Sequence, residues 1–339
     1  MKCIDKIKNF HCKGILCKRT AVLFLVLSVS AAGCGQEITI DNPYDVYESP
    51  RAYGLNTTVS SNSDTAFFAE ELCVADTQDK LSGDITASLS EAAGLFNLQE
   101  HNMEFGKNVH LRLYPASTTK ILTAYTALKH GDLSAKATVT EAELQLEAGS
   151  TVCGLSAGDT VTLEELLYGL MLCSGNDAAN VIADLVSGST EEFAKLMNQE
   201  ALALGATNSH FVNPHGLHDE AHYTTVYDMY LIFQAALQEE MFVTIISSQS
   251  HTGIVTAASG ETISKDWINT NKYVNGEETV PQGVQVIGGK TGTTNAAGYC
   301  LVLFSQKGGT IPYISIVYKS DSRENLYLEM TELLGKISK

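Results

Sequence analysis

Residues 114–128 read Tyr114-Pro115-Ala116-Ser117-Thr118-Thr119-Lys120-Ile121-Leu122-Thr123-Ala124-Tyr125-Thr126-Ala127-Leu128. Pro115 sits just upstream of Ser117, and the residues after Lys120 leave few polar positions, which predicts a buried helix starting near Ser117. Residues three apart share a helix face, so the Ser117 hydroxyl and the Lys120 amine address the same point. If burial or a nearby cation keeps that amine neutral, it can take the hydroxyl's proton and make a nucleophile without histidine. Ser-x-x-Lys alone arises by chance roughly once in a chain this long, so its weight depends on the motifs around it.

Upstream, the chain opens with a secretory signal over residues 1–33. Lys2, Lys6, Lys8, Lys13, Lys18 and Arg19 form its basic region, Ala21 to Ser30 its apolar core, and Ala31-Ala32-Gly33 its cleavage site. The apolar run is shorter than the ~20 residues a permanent span needs. Cys34 follows at once and resembles the lipidated cysteine of the bacterial lipobox, although Ala31 stands where that pattern prefers leucine. Residues 34–65 are polar and lack a sustained period, the composition of a flexible tether reaching ~30 Å. Of the remaining cysteines, Cys73, Cys153, Cys173 and Cys300 sit among apolar or small neighbours without metal-type spacing and are expected as free, buried thiols.

The 339 residues carry 39 acidic and 22 basic side chains, a net charge of −17, which excludes the basic footprint of a nucleic-acid-binding protein. Ala66 to Ala75 and Gly94 to Leu98 read as strands. Thr162-Leu163-Glu164-Glu165 and Ser189-Thr190-Glu191-Glu192 read as capping boxes that open helices. From Val284 the apolar period falls to two, and Val284 to Gly289, Tyr299 to Ser305 and Ile311 to Tyr318 form an antiparallel meander before a last helix from about Ser322 to Ile337. Strands at both ends with helices between them predict an α/β (α+β) domain over residues 66–339. It would have one antiparallel sheet built from both chain ends, flanking helices, and an inserted helical region at about 121–283. In the last helix Leu326, Met330, Leu333, Leu334 and Ile337 form an apolar stripe with Glu324, Glu329 and Glu332 among the polar residues. Such a helix is expected to pack on the sheet and not on an anionic membrane.

Two further stretches complete the pattern: Cys173-Ser174-Gly175-Asn176-Asp177-Ala178-Ala179, and Gly289-Lys290-Thr291-Gly292-Thr293 at the end of the first meander strand. Ser-x-x-Lys, Ser-x-Asn and Lys-Thr-Gly, in that order, form the motif triple of the penicillin-recognising serine enzymes. With Phe211-Val212-Asn213-Pro214-His215-Gly216-Leu217 added, residues 66 to 320 resemble the D-alanyl-D-alanine carboxypeptidases of peptidase family S11, which have a β-lactamase/transpeptidase-like fold.

The resemblance implies that Ser117 attacks the carbonyl between the two terminal D-alanines of a peptidoglycan stem peptide, with Lys120 as general base. Ser174 would relay the proton to the leaving amine, and Asn176 would hold the peptide and orient Lys120. Lys290, with Thr291 and Thr293, would receive the terminal carboxylate. The N–H groups of Ser117 and Thr293 would form the oxyanion hole, and Gly292 would let the strand edge approach the substrate. β-Lactams would acylate the same serine. The implied partners are wall peptide, β-lactam and, through a lipid on Cys34, the outer face of the bacterial membrane, with no cofactor and no metal. Many relatives carry a further β-rich domain, and this sequence stops about twenty residues after its last expected strand.

Three rival readings each lack a required feature or spacing. A class A β-lactamase needs a glutamate in a Glu-x-x-Leu-Asn setting, which does not occur between Ser174 and Lys290. A penicillin sensor needs a membrane-spanning transducer. A metal hydrolase built on His215, His218 and His222 lacks His-Glu-x-x-His spacing. Endopeptidase action would use the same acyl chemistry.

Overall fold

The computed structural model describes residues 69, 71–83, 85 and 89–338. The expected signal, Cys34 and the tether lie outside the described residues. So does the start of the strand expected at Ala66.

In chain order the elements are β1 (Ala92–Asn97), β2 (Asn102–Lys107), a 3-10 turn (Ala116–Thr119), α1 (Lys120–His130), β3 (Lys136–Thr138), β4 (Thr160–Thr162), α2 (Leu163–Met171) and α3 (Asn176–Ser187). Next come α4 (Thr190–Ala203), α5 (Val226–Ala236), α6 (Glu240–Ser247), β5 (Ser250–Thr256), β6 (Thr262–Ile268) and α7 (Lys272–Asn275). The chain closes with β7 (Val284–Thr294), β8 (Gly298–Lys307), β9 (Ile311–Ser320) and α8 (Arg323–Ser338).

The main sheet is antiparallel with strand order β2-β1-β9-β8-β7, so strands from both ends of the sequence pair directly. Side chains alternate across a strand, and here the alternation separates two cores. Ala92 and Phe96 of β1, Val302 of β8, and Ile314 and Ile316 of β9 face the helices that pack around α1. Ala93 and Leu95, Leu301 and Leu303, and Tyr313 and Val317 face α8. Because it is buried on both faces, β1 reads as a continuous apolar run.

Leu326, Met330, Leu333, Leu334 and Ile337 of α8 close the second core, as their stripe predicts. At ~1.5–3 kcal/mol per buried apolar side chain, the fold depends on this helix. Glu329 departs from the expected polar face. It is fully buried, and Ser90 Oγ donates to its Oε1 at 2.8 Å. Burial raises its pKa, and the Ser90 hydrogen bond offsets part of that rise. Among the described residues no single helix is long and apolar enough to cross a membrane.

The inserted region is not purely helical, since it carries a second antiparallel sheet of order β3-β4-β5-β6. Its strands are short or exposed on one face, so they leave little apolar signal. Both expected N-caps are present: Thr162 Oγ1 accepts the Glu165 N–H and Ser189 Oγ accepts the Glu192 N–H. The strand expected up to Ala75 is reduced to an isolated bridge between Val74 and Asn102. Side chains hold that segment instead of a ladder. The Cys73 N–H donates to the Tyr230 hydroxyl at 2.8 Å, and Cys73 Sγ donates to the Asn97 carbonyl.

Candidate active site

The nucleophile turn is built by its neighbours. Ala116 adopts φ 48°, the left-handed region that an alanine rarely occupies, and the 3-10 turn it begins hands Ser117 on to α1. Two close approaches hold it there. At Gly216 (φ 87°) a Cβ would lie 1.8 Å from the Ala116 carbonyl oxygen. At Gly292 a Cβ would lie 2.9 Å from Thr118 N and 3.0 Å from Ser117 N. Gly292, expected to bring the strand edge close to substrate, has a second use here. It makes room for the serine turn and presses the β7 edge against the Ser117 N–H, where the expected oxyanion hole belongs.

Lys120 is fully buried as the first residue of α1. Its Nζ donates to Asn176 Oδ1 and to the His215 carbonyl, each at 2.7 Å, and lies 3.0 Å from Ser117 Oγ. A neutral amine has two N–H groups and one lone pair. With both N–H groups committed to oxygens that cannot donate, the lone pair remains for the serine proton. Burial is the largest force lowering the Lys120 pKa and the charge of Lys290 the second, so the cation repulsion expected from the sequence is present but subordinate.

Lys290 is also buried (1% exposed), donates from Nζ to the Thr291 carbonyl at 3.0 Å, and is pushed down to about 7 by burial. Lys290 and Thr291 lie within β7, which continues to Thr294 and does not end at Gly289.

An open groove of about 410 Å³ runs over Ser117, lined by Ser174, Thr291, Gly292 and Thr293 and, further along, by Thr151 and Arg323. Ser174 (φ 63°) is held in the left-handed region between α2 and α3 and lines the groove. Asn176 (3% exposed) and Lys290 sit behind the lining, so Asn176 orients Lys120, and the polar side chains on the groove itself include Thr291, Thr293, Lys272 and Arg323.

Sequence reasoning missed three contributors. Arg323, at the start of α8, has no motif around it. The His215 carbonyl is a backbone group, invisible to a search for side chains. Thr270 Oγ1, 2.7 Å from Thr291 Oγ1, belongs to a polar loop of no special composition. His222 has a structural role. His222 Nδ1 accepts the Val212 N–H at 3.1 Å, which leaves the proton on Nε2 to donate to Thr119 Oγ1 at 2.8 Å. Burial first of all pushes both His215 and His222 down to about 3. Cys73, Cys153, Cys173 and Cys300 are free thiols, with Cys173 half-buried and the others buried.

The chain is similar to known proteins. The sequence profile of the D-alanyl-D-alanine carboxypeptidase family matches residues 88–322. D-alanyl-D-alanine carboxypeptidase DacF of Bacillus subtilis is 34% identical over 263 residues, covering 75% of this chain and 64% of that protein. D-alanyl-D-alanine carboxypeptidase DacB2 of Mycobacterium tuberculosis is 34% identical over 215 residues, covering 63% of this chain and 69% of that protein. The chain thus spans about two thirds of the length of these relatives. The crystal structure of the Streptomyces K15 DD-transpeptidase superposes with a TM-score of 0.68 at 31% identity, covering 74% of this chain and 97% of that one. With the Ser117–Lys120 pair, the Ser174 loop and the β7 edge converging on one groove, the chain belongs to the D-alanyl-D-alanine carboxypeptidase family, the serine peptidases of family S11.

Proposed function

We propose that this enzyme removes the terminal D-alanine from peptidoglycan stem peptides by way of an acyl-enzyme. Ser117 Oγ attacks the carbonyl carbon of the penultimate D-alanine while its proton passes to Lys120 Nζ. The resulting oxyanion is held by the N–H groups of Ser117 and Thr293. Collapse breaks the peptide C–N bond, the leaving amine takes a proton through Ser174, and water then hydrolyses the ester. Thr291, Thr293 and the Arg323 guanidinium hold the substrate's terminal carboxylate, with the buried charge of Lys290 behind them.

The observation that carries this reading is Lys120, whose two N–H groups are fixed by Asn176 and His215 with Ser117 Oγ 3.0 Å away. The test is release of D-alanine from a diacetylated Lys-D-Ala-D-Ala peptide, which Ser117→Ala abolishes together with covalent labelling by a fluorescent penicillin. Labelling that persists in Ser117→Ala overturns the assignment.

The same serine takes β-lactams, whose strained amide meets the groove as the peptide does. The enzyme acts outside the cell, held to the membrane by lipid on Cys34, with residues 34–65 spanning the distance to the wall. The signal-like residues 1–33 and the lipobox-like Cys34 support this placement. Cys34→Ala is expected to keep full activity and to move the enzyme from the membrane fraction to the medium or to an unprocessed precursor. A correctly cleaved variant that still sediments with membranes refutes the anchor.

A further inference from the structure

Asp177 follows the Ser174-Gly175-Asn176 loop and is buried (1% exposed). Its carboxylate gathers the backbone N–H groups of three consecutive residues. Oδ1 accepts from Cys153 at 2.8 Å, and Oδ2 from Gly154 at 3.0 Å and Leu155 at 3.1 Å, while Oδ1 also accepts from Ala178 at 2.9 Å. Residues 151–155 have neither helix nor strand, so their polar groups need partners from elsewhere. The remaining ties reach the same neighbourhood. The Asn176 N–H donates to the Thr151 carbonyl at 2.8 Å, and the Trp267 indole donates to the Cys153 carbonyl at 2.9 Å. Thr151 lines the groove beside Ser174.

We propose that Asp177 is a positioning residue for acyl transfer, a carboxylate that anchors the groove wall 151–155 to the loop carrying Ser174 and Asn176 and so sets the groove over Ser117. The chemistry requires a carboxylate. Both oxygens receive N–H donors, and only an ionised acid accepts on both, whereas asparagine would set an NH2 against one of them. Length matters as well, because a Cβ on Gly175 would already lie 2.8 Å from Asp177 Oδ1 and 2.9 Å from Cys153 N.

The carboxylate has a second effect. The groups facing Lys120 are Lys290 from β7, Cys173 and Asp177 from the Ser174 loop, and His215, which buries beside it. Asp177 raises the proton affinity of Lys120 and Lys290 lowers it. Removing the Asp177 charge therefore makes Lys120 lose its proton at lower pH, and the acid limb of acylation moves down with it.

The inference rests on the proposed reaction and separates charge from geometry through two substitutions. Asp177→Asn is expected to lower kcat/KM for the peptide by about tenfold to a hundredfold, as a displacement near 1 Å does, and to move the acid limb down. Asp177→Glu keeps the charge, so it should lose a comparable factor with the limb unmoved. Trp267, the one tryptophan in the chain, reports the wall directly: in both variants its emission should shift to the red as Cys153 loosens. Unchanged emission, emission that shifts while kcat/KM stays at wild type, or an acid limb that fails to move in Asp177→Asn each overturn the proposal. If Asp177→Asn does not fold, Asp177→Glu decides through emission and kcat/KM. Wild-type enzyme assayed alongside reports on the reaction itself, so absent D-alanine release there counts against the function, whereas normal release with indifferent variants counts against Asp177 alone.

Discussion

The first turn of α1 and the edge of β7 each bury a lysine at the same groove, and the two lysines are used in different ways. Lys120 is surrounded by oxygens from three separate segments: Asn176 at the start of α3, the His215 loop, and Ser117. Lys290 has one backbone acceptor from its own strand neighbour. Burial lowers the proton affinity of both, and at Lys120 the charge of Lys290 adds to it. One region is therefore built to lose a proton and take another from serine. The other is placed to supply charge from behind a groove lining that includes Thr291, Thr293 and Arg323. A buried lysine is thus not a role in itself, and the neighbours that occupy its N–H groups decide the role.

Four substitutions test that contrast. The largest loss is expected from Lys120→Arg. Guanidinium stays protonated and cannot act as base, so acylation by fluorescent penicillin should fall by about a thousandfold or more, and a rate within tenfold of wild type would point to another base. Next comes Gly292→Ala, where the new methyl group meets Ser117 N and Thr118 N at about 3 Å. The turn must move, and a displacement of that order costs about a hundredfold in acylation with the fold intact, checked by thermal melting alongside.

Lys290→Ala should cost less, about tenfold, and should be selective. It should harm peptides with a free terminal carboxylate more than amidated ones, and equal losses on both would contradict a role in carboxylate attraction. Its pH profile carries a sign. With the Lys290 charge gone, Lys120 holds its proton to higher pH, so the acid limb of acylation should move up, opposite to the shift expected for Asp177→Asn. The smallest effect belongs far from both lysines. Thr162→Ala removes the cap of α2 and should lower stability by about 1 kcal/mol, read from urea denaturation, with kcat/KM unchanged.

Much of this was legible in the residues themselves. Ser117 and Lys120 are one turn apart, so local geometry alone brings them together, although the turn is 3-10 at the serine and α-helical from the lysine. The strands of the meander and the stripe of α8 follow from apolar period, because each has to bury a face. The second sheet escaped notice because its short strands bury too little to leave a pattern. Glu329 was misplaced because helical spacing identifies a face but does not reveal that Ser90 waits there as a partner.

The sequence by itself determined which chemistry is available: a hydroxyl beside an amine, a strained Ser-Gly-Asn loop, and a Lys-Thr-Gly strand, all set by covalent order and local backbone preference. The tertiary structure alone decided what each group does. The His215 carbonyl that completes the Lys120 cage lies 95 residues along the chain from it, and the Arg323 guanidinium enters the groove from the last helix. Proton affinity depends on burial and on charges brought close through space, and neither quantity exists until the chain has folded.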